Sequence, residues 1–322
     1  MELISKILNG DLRAAAKFMT DIENERAGVD KKLQSLYSHT GSAYVVGITG
    51  PGGVGKSTLV NALVSRFTRD DLDLGVLATD PSSQLTGGAL LGDRVRLGRG
   101  MAPKVFFRSL ATRGWTGGLA KVAAAMTHVL DAMGKDIILT ETTGTGQNDV
   151  NIAGFADTCL LVLMPGVGDE IQTMKAGVFE IADIFVINKA DLSGAEELRW
   201  QIEQMLSLRD FSPHNWKPAI VLTEAATGKG IEELVATLFA HKAFIISNGV
   251  FSKRRKERAK LEVTEIVDRL IKEYIHEKLD HDHLESMVEK VAGREIDPNS
   301  AALEIVQKFT QKAEQIGWSG VE

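Results

Sequence analysis

Between the apolar run Tyr44–Thr49 and a helical stretch from Ser57 to Phe67 the chain reads Gly50-Pro-Gly-Gly-Val-Gly-Lys-Ser-Thr58. No other feature constrains the fold as much. A glycine-rich loop that leaves a strand, ends in Gly-Lys-Ser and opens a helix is the phosphate-binding turn of a parallel βαβ unit. Its glycines let backbone N–H groups converge on phosphate oxygens at the positive end of the helix. The candidate phosphate contacts are Gly50, Gly52, Gly53, Val54, Gly55, Lys56, Ser57 and Thr58. Among them Lys56 neutralises β/γ oxygens, a catalytic role, and the Ser57 hydroxyl ligates Mg2+.

The surrounding pattern agrees with a P-loop domain. From Tyr44 onward short β-type runs alternate with helical stretches: Tyr44–Thr49, Leu74–Thr79, Lys104–Arg108, Asp136–Thr140, Thr158–Met164, Ile184–Ile187 and Ala219–Leu222. Such alternation predicts an α/β fold with a mainly parallel sheet covered on both faces, and ligands at the carboxyl ends of the strands. Before it lies a helical lead-in, residues 1–40, with Ile4, Ile7, Leu8, Leu12, Ala15, Ala16, Leu33 and Leu36 at helical spacing and breaks near Gly10 and Gly28. The nucleotide domain is expected over 41–245. In 246–322 the stripe Val263, Ile266, Val267, Leu270, Ile271, Tyr274 and Ile275 marks a long helix, and two helical pieces follow, the last opened by Asp297-Pro298 as N-cap and first helical residue. So short a helical extension makes a small core, which predicts packing on the main domain or on a second copy of the chain.

Acidic residues punctuate the strand ends where a phosphate-bound metal would lie. Asp80 ends one run, Asp93 follows a loop containing Thr86-Gly-Gly88, and Glu141-Thr-Thr-Gly144 ends a later run. With Ser57 they are the candidate metal ligands, direct or through water, since Mg2+ takes few carboxylates and keeps several waters. Capping of turns is the alternative role for Asp80 and Asp93. The glutamine that orients the attacking water in many GTPases would follow Gly144 directly. Here that place is Thr145, and Gln147 comes two residues later. Slow intrinsic turnover is the expectation, with Gln147 either brought to the water when the loop reorganises or a polar loop residue.

The base is specified by Asn188-Lys-Ala-Asp191. The Asp191 carboxylate accepts from the N1–H and amino group of guanine, Asn188 braces the pocket, and the Lys189 stem lies over the ring. Adenine lacks both donors and would leave the carboxylate unpaired, which predicts GTP and GDP as ligands. Thr223, Glu224 and Ala225, after the last β-type run, are candidates to offer a backbone N–H to the guanine carbonyl.

Bulk properties exclude other classes. Over 322 residues Lys and Arg total 37 against 43 Asp and Glu, a net charge of −6, so nothing points to nucleic acid or an anionic membrane. Cys159, the single cysteine, lies in an apolar run, which rules out an intrachain disulfide and reads as a core thiol. The amino terminus has no apolar signal core and no run is long enough to span a bilayer, so a soluble, unprocessed cytoplasmic protein is expected. Soft-metal insertion of the nickel type would call for a Cys-x-x-Cys or histidine-rich element, and one cysteine with seven scattered histidines supplies neither. A stand-alone regulatory GTPase remains the other alternative.

Taken together, Gly50–Thr58, Thr79-Asp-Pro-Ser-Ser83, Thr86-Gly-Gly88 with Gly92-Asp93, Glu141-Thr-Thr-Gly-Thr-Gly-Gln147, Pro165-Gly-Val-Gly-Asp-Glu170 and Asn188–Asp191 resemble the MeaB/ArgK GTPases of the metallochaperone class. The resemblance covers most of the chain. It implies a homodimeric GTPase that gates loading, protection or repair of an adenosylcobalamin-dependent acyl-CoA mutase of the methylmalonyl-CoA mutase type, with cobalamin held by the mutase and not by this chain. It also implies an extra switch segment at 165–175, where Asp169, Glu170 and Lys175 are candidates for contacts that complete the GTPase site. The plain alternative there is a strand-to-helix loop. Trp115, in the small-residue loop after Arg108, is either a partner anchor or packed on the domain. The basic run Lys253-Arg-Arg-Lys-Glu-Arg-Ala-Lys260 is expected to be a solvated helix face.

Overall fold

The computed structural model describes residues 2–80, 104–111, 118–142, 155–166, 176–209, 215–278 and 281–316. Three helices come first: α1 (Glu2–Leu8), α2 (Leu12–Glu23) and α3 (Val29–Tyr37). Gly10 and Gly28 sit between them with φ of 78° and 81°, a left-handed conformation in which glycine alone is unstrained. Asp11 caps α2 by accepting from the N–H groups of Arg13 and Ala14.

Seven strands follow: β1 (Tyr44–Thr49), β2 (Leu74–Asp80), β3 (Val105–Ala111), β4 (Ile137–Glu141), β5 (Thr158–Leu163), β6 (Ile184–Asn188) and β7 (Ala219–Thr223). They form one sheet in the order β3-β2-β4-β1-β5-β6-β7, and every pairing is parallel. The chain builds outward from β1 in one direction, then returns past it to β5. The loop after β1 therefore opens at the reversal of strand order, where parallel sheets bind ligands.

Helices between strands are α4 (Lys56–Arg69), α5 (Gly118–Ala132), α6 (Ala176–Ile181) and α7 (Ala195–Ser207), and α8 (Ile231–Ser247) follows β7. Strand residues alternate faces, as a period of two requires. Tyr44, Val46, Ile48, Leu160, Val162, Ile184 and Val186 pack with Leu59, Leu63 and Phe67 of α4 and with Leu234 and Leu238 of α8. Val45, Leu77 and Ile138 turn the other way, toward Met126 and Leu130 of α5 and Phe18 and Met19 of α2. Leu161, Leu163, Phe185 and Ile187 meet Val178 and Phe179 of α6 and Leu198 and Ile202 of α7. Leu59 is wholly buried, and its truncation to alanine would cost about 2–5 kcal/mol. Cys159 is a buried core thiol, as expected.

The chain divides into two compact units, Met1–Ala259 and Lys260–Glu322. The division falls inside the long helix α9 (Val250–Lys278), which α10 (His281–Ala292) and α11 (Pro298–Ile316) follow. Asp297 caps α11 by accepting from the N–H groups of Asn299 and Ser300, 3.0 Å each.

The opening of α9 corrects one expectation. Three of its basic residues are half-buried and clamp the amino ends of the central strands. Arg254 is bidentate to Asp183 at 2.8 and 2.7 Å and donates to the Asp157 carbonyl at 2.6 Å. Arg258 reaches the Asp157 carboxylate at 2.9 Å, and Arg255 donates to the carbonyls of Gly41 and Ala43. Both aspartates are buried and also accept from strand N–H groups, Asp157 from Val45 and Asp183 from Cys159. A buried carboxylate needs such partners, and the arginine run supplies them. Lys253 and Lys256 do remain exposed.

Candidate functional site

The site assembles at the carboxyl ends of β1, β4, β6 and β7. Gly50 leaves β1 with φ of 142°, and a Cβ there would stand 2.1 Å from the Val162 carbonyl of β5. The loop is thus pressed onto its neighbouring strand, and no side chain fits. Gly55 is the N-cap of α4 in a left-handed conformation, and a Cβ on it would meet the Asn188 amide at 2.5 Å. The phosphate loop and the base motif are in contact through a position that only glycine can occupy.

Lys56 is nearly buried, 6% exposed, and its ammonium donates to the carbonyls of Gly50 and Pro51 at 2.7 Å each. The cation is thus held within the loop at the amino end of α4. Ser57 donates to Glu141 at 2.6 Å, so the first turn of α4 and the end of β4 bring together a hydroxyl and a carboxylate. Two hard oxygen donors side by side suit Mg2+, which leaves its other positions to phosphate oxygens and water. Asp80, the last residue of β2, pairs in register with Ala111 at the same edge of the sheet. Thr142 extends the β4 end toward β1: its N–H donates to the Ile48 carbonyl and its hydroxyl to Thr49, 3.1 Å away.

The base motif is tied to the loop from the other side. Asn188 donates to the Val54 carbonyl at 2.8 Å, and Lys189, in the left-handed region at φ 53°, donates to the Gly53 carbonyl at 2.9 Å. The Asn188 side-chain oxygen accepts from the Thr223 hydroxyl and the Ala225 N–H, 3.1 Å each. Thr223 therefore braces Asn188 through its hydroxyl, while the N–H groups of Ala225 and Glu224, expected to meet the guanine carbonyl, are instead taken by Asn188 and by the Lys229 carbonyl. Asp191 is exposed beside them. Asp93, Gln147, Asp169, Glu170, Lys175 and Trp115 lie outside the described residues. Among the described residues no group of three or more His, Cys, Asp or Glu is gathered that could hold a metal ion.

A glycine-rich loop at the strand-order reversal, a lysine folded into it and an Asn-Lys-x-Asp motif bonded to it define a P-loop GTPase. Comparison with known proteins narrows the class. The chain belongs to the MeaB family, whose model, described as methylmalonyl Co-A mutase-associated GTPase MeaB, matches residues 15–280. It is 43% identical over 311 residues to a protein of Pyrococcus horikoshii named as a GTPase, covering 96% of this chain and 98% of that one. It is 29% identical to GTPase ArgK of Escherichia coli over 266 residues, 80% of each chain. The mitochondrial methylmalonic aciduria type A homolog of Mus musculus is 30% identical over 275 residues, 83% of this chain and 66% of that one. A crystal structure of a LAO/AO transport system kinase superposes with a TM-score of 0.72 at 21% identity, covering 96% and 97% of the two chains, and shares the fold. No single helix among the described residues is long and apolar enough to cross a membrane.

Proposed function

We propose that this GTPase is a chaperone of an adenosylcobalamin-dependent acyl-CoA mutase, using the GTP cycle to gate cofactor loading, protection or repair, and acting in the cytoplasm. The observation that carries this reading is the family match over residues 15–280, whose description ties the family to methylmalonyl-CoA mutase. The name of the mouse relative points the same way. Cobalamin belongs to the mutase in this reading.

Within the site each residue has a task set by its position. N–H groups of Gly52 to Ser57 and the Lys56 ammonium take the phosphates, aligning the γ-phosphoryl group and countering the charge that grows on its oxygens as the bond to the leaving diphosphate breaks. Ser57 and Glu141, with Asp80 and Asp93, would hold Mg2+, which would supply positive charge to offset that of the phosphate oxygens. Asp191 reads guanine, and Asn188, held by the Ala225 N–H and the Thr223 hydroxyl, locks that reading to the phosphate loop together with Lys189. Gln147 orients the attacking water and Lys175 joins the site from the switch segment when a partner binds. The enzyme is slow alone and accelerated by its partner.

We further place a homodimer contact in residues 246–322. The exposed apolar positions Val263, Ile266, Val267, Leu270 and Ile271 on α9 support it.

GTP turnover of the purified protein, with and without candidate mutases, tests the chaperone reading. Acceleration by one cobalamin-dependent acyl-CoA mutase is expected. No acceleration and no binding with any of them would overturn that role and leave the GTPase intact.

A further inference from the structure

The turn that leaves β7 carries an ion pair that none of the nucleotide motifs demands. Glu224 and Lys229 face each other across an antiparallel bridge, with the Glu224 N–H donating to the Lys229 carbonyl at 3.0 Å. The N–H groups of Thr227 and Gly228 close the turn on the Glu224 carbonyl at 3.0 and 2.9 Å. Gly230 ends it with φ of 77°, and a Cβ there would stand 2.0 Å from the Leu222 carbonyl, so the returning chain is pressed on β7. Across this turn the Lys229 ammonium meets Glu224 Oε1 at 2.7 Å, while the Thr227 hydroxyl donates to Oε2 at 3.2 Å. Both oxygens of one carboxylate are occupied, and its side chain is 16% exposed against 77% for Lys229.

We propose that Lys229 is a positioning residue for guanine recognition, and through that role a determinant of base specificity in this GTPase. The next residue after Glu224 is Ala225, whose N–H donates to Asn188 Oδ1 and so holds the asparagine of the base motif. Fixing the Glu224 side chain fixes the peptide that carries this N–H. The second link runs to Asp191. Its carboxylate, which accepts from guanine N1–H and the amino group, adds to the field that Glu224 exerts on the Lys229 ammonium. Without that cation two carboxylates flank the rim of the pocket and the turn is held by backbone bonds alone. An exposed ion pair adds little to global stability. In a site that selects its base by directed hydrogen bonds, a small displacement of one donor is read directly in affinity.

Steady-state kinetics with GTP and ATP and calorimetric titration with GDP test this on the full chain. Lys229→Ala is expected to raise the KM for GTP and the Kd for GDP by about 3- to 10-fold, the range of one weakened hydrogen bond. kcat should stay within about twofold, and weak ATP turnover should be unaltered, so the preference for GTP over ATP falls by the same factor. Lys229→Arg should restore most of the loss. Glu224→Gln should reproduce it, with the double variant no worse than either single one, because the pair acts as a unit. An unchanged GTP to ATP ratio in both single variants, a loss taken equally by kcat, or additive effects in the double variant would overturn the proposal.

Discussion

At the scale of single residues the site is a set of cross-links between segments far apart in sequence. Lys56 is tied to Gly50 and Pro51, Ser57 to Glu141, and Asn188 to Val54 on one side and to Thr223 and Ala225 on the other. Lys56 is the one whose removal has the simplest consequence. It places a buried cation among loop carbonyls, at the point where phosphate oxygens enter. Lys56→Ala should leave the negative charge of the phosphates uncompensated and weaken GDP and GTP binding by about 100-fold or more, roughly 3 kcal/mol. Calorimetry with GDP, run beside a urea unfolding curve showing an intact fold, checks it. These residues were legible in the sequence because each motif follows a strand and the chemistry of phosphate and guanine dictates residue types at fixed spacings. The Thr223 hydroxyl and the Glu224–Lys229 pair were not. Their roles depend on a turn returning against β7, and nothing in a linear pattern announces which two of its side chains will meet.

At the scale of elements the strands were legible to within a few residues. β3 is the exception, running on to Ala111, past the Arg108 at which its apolar pattern ends. What the sequence concealed was the clamp between α9 and the amino ends of β5 and β6. A run of arginines and lysines on a helix looks the same whether it faces water or buried carboxylates, and Asp157 and Asp183 stand alone between apolar neighbours. The clamp continues inward: His241, wholly buried, lies 2.7 Å from the Thr158 hydroxyl and 3.3 Å from Asp183, and Tyr44 joins through Thr158 and donates to the Leu238 carbonyl. Burial raises the pKa of the Asp183 carboxyl, but the hydrogen-bonded Arg254 guanidinium and then the nearby His241 ring outweigh it and hold the group below its ordinary value. A folded-state pKa below the unfolded one means the stabilisation is full above the unfolded value and is lost as pH falls through the folded one. Asp183→Asn leaves Arg254 without its charge partner and should cost about 3 kcal/mol at neutral pH, measured by urea unfolding. The wild-type loss of stability below about pH 4 should be shallower in that variant. An equal acid slope in the two proteins would refute the role given to this carboxylate.

At the scale of the whole molecule the two units pose different problems. Residues 1–259 enclose three apolar clusters around a sheet covered on both faces, enough to bury the central strands β1, β4, β5 and β6 throughout. Residues 260–322 have only Met287 and Ala301 as buried apolar side chains among those described, while Val263, Ile266, Val267, Leu270 and Ile271 on α9 are between 40% and 60% exposed. These five fall at i, i+3, i+4, i+7 and i+8, one stripe of a helix and the spacing by which helices pack on one another. An aliphatic stripe of this length left in water forgoes the burial that would stabilise it, by roughly 1.5–3 kcal/mol for each large side chain fully covered. A second copy offers the same stripe, and two-fold symmetry lets each cover the other. Sedimentation of the full chain should therefore report a dimer. Placing charges in the stripe, Ile266→Asp with Leu270→Asp, should give a monomer whose affinity for GDP is unchanged, since every nucleotide contact lies before residue 260. A wild-type chain that stays monomeric at high concentration would remove the dimer, and with it the assignment of 246–322 as the contact.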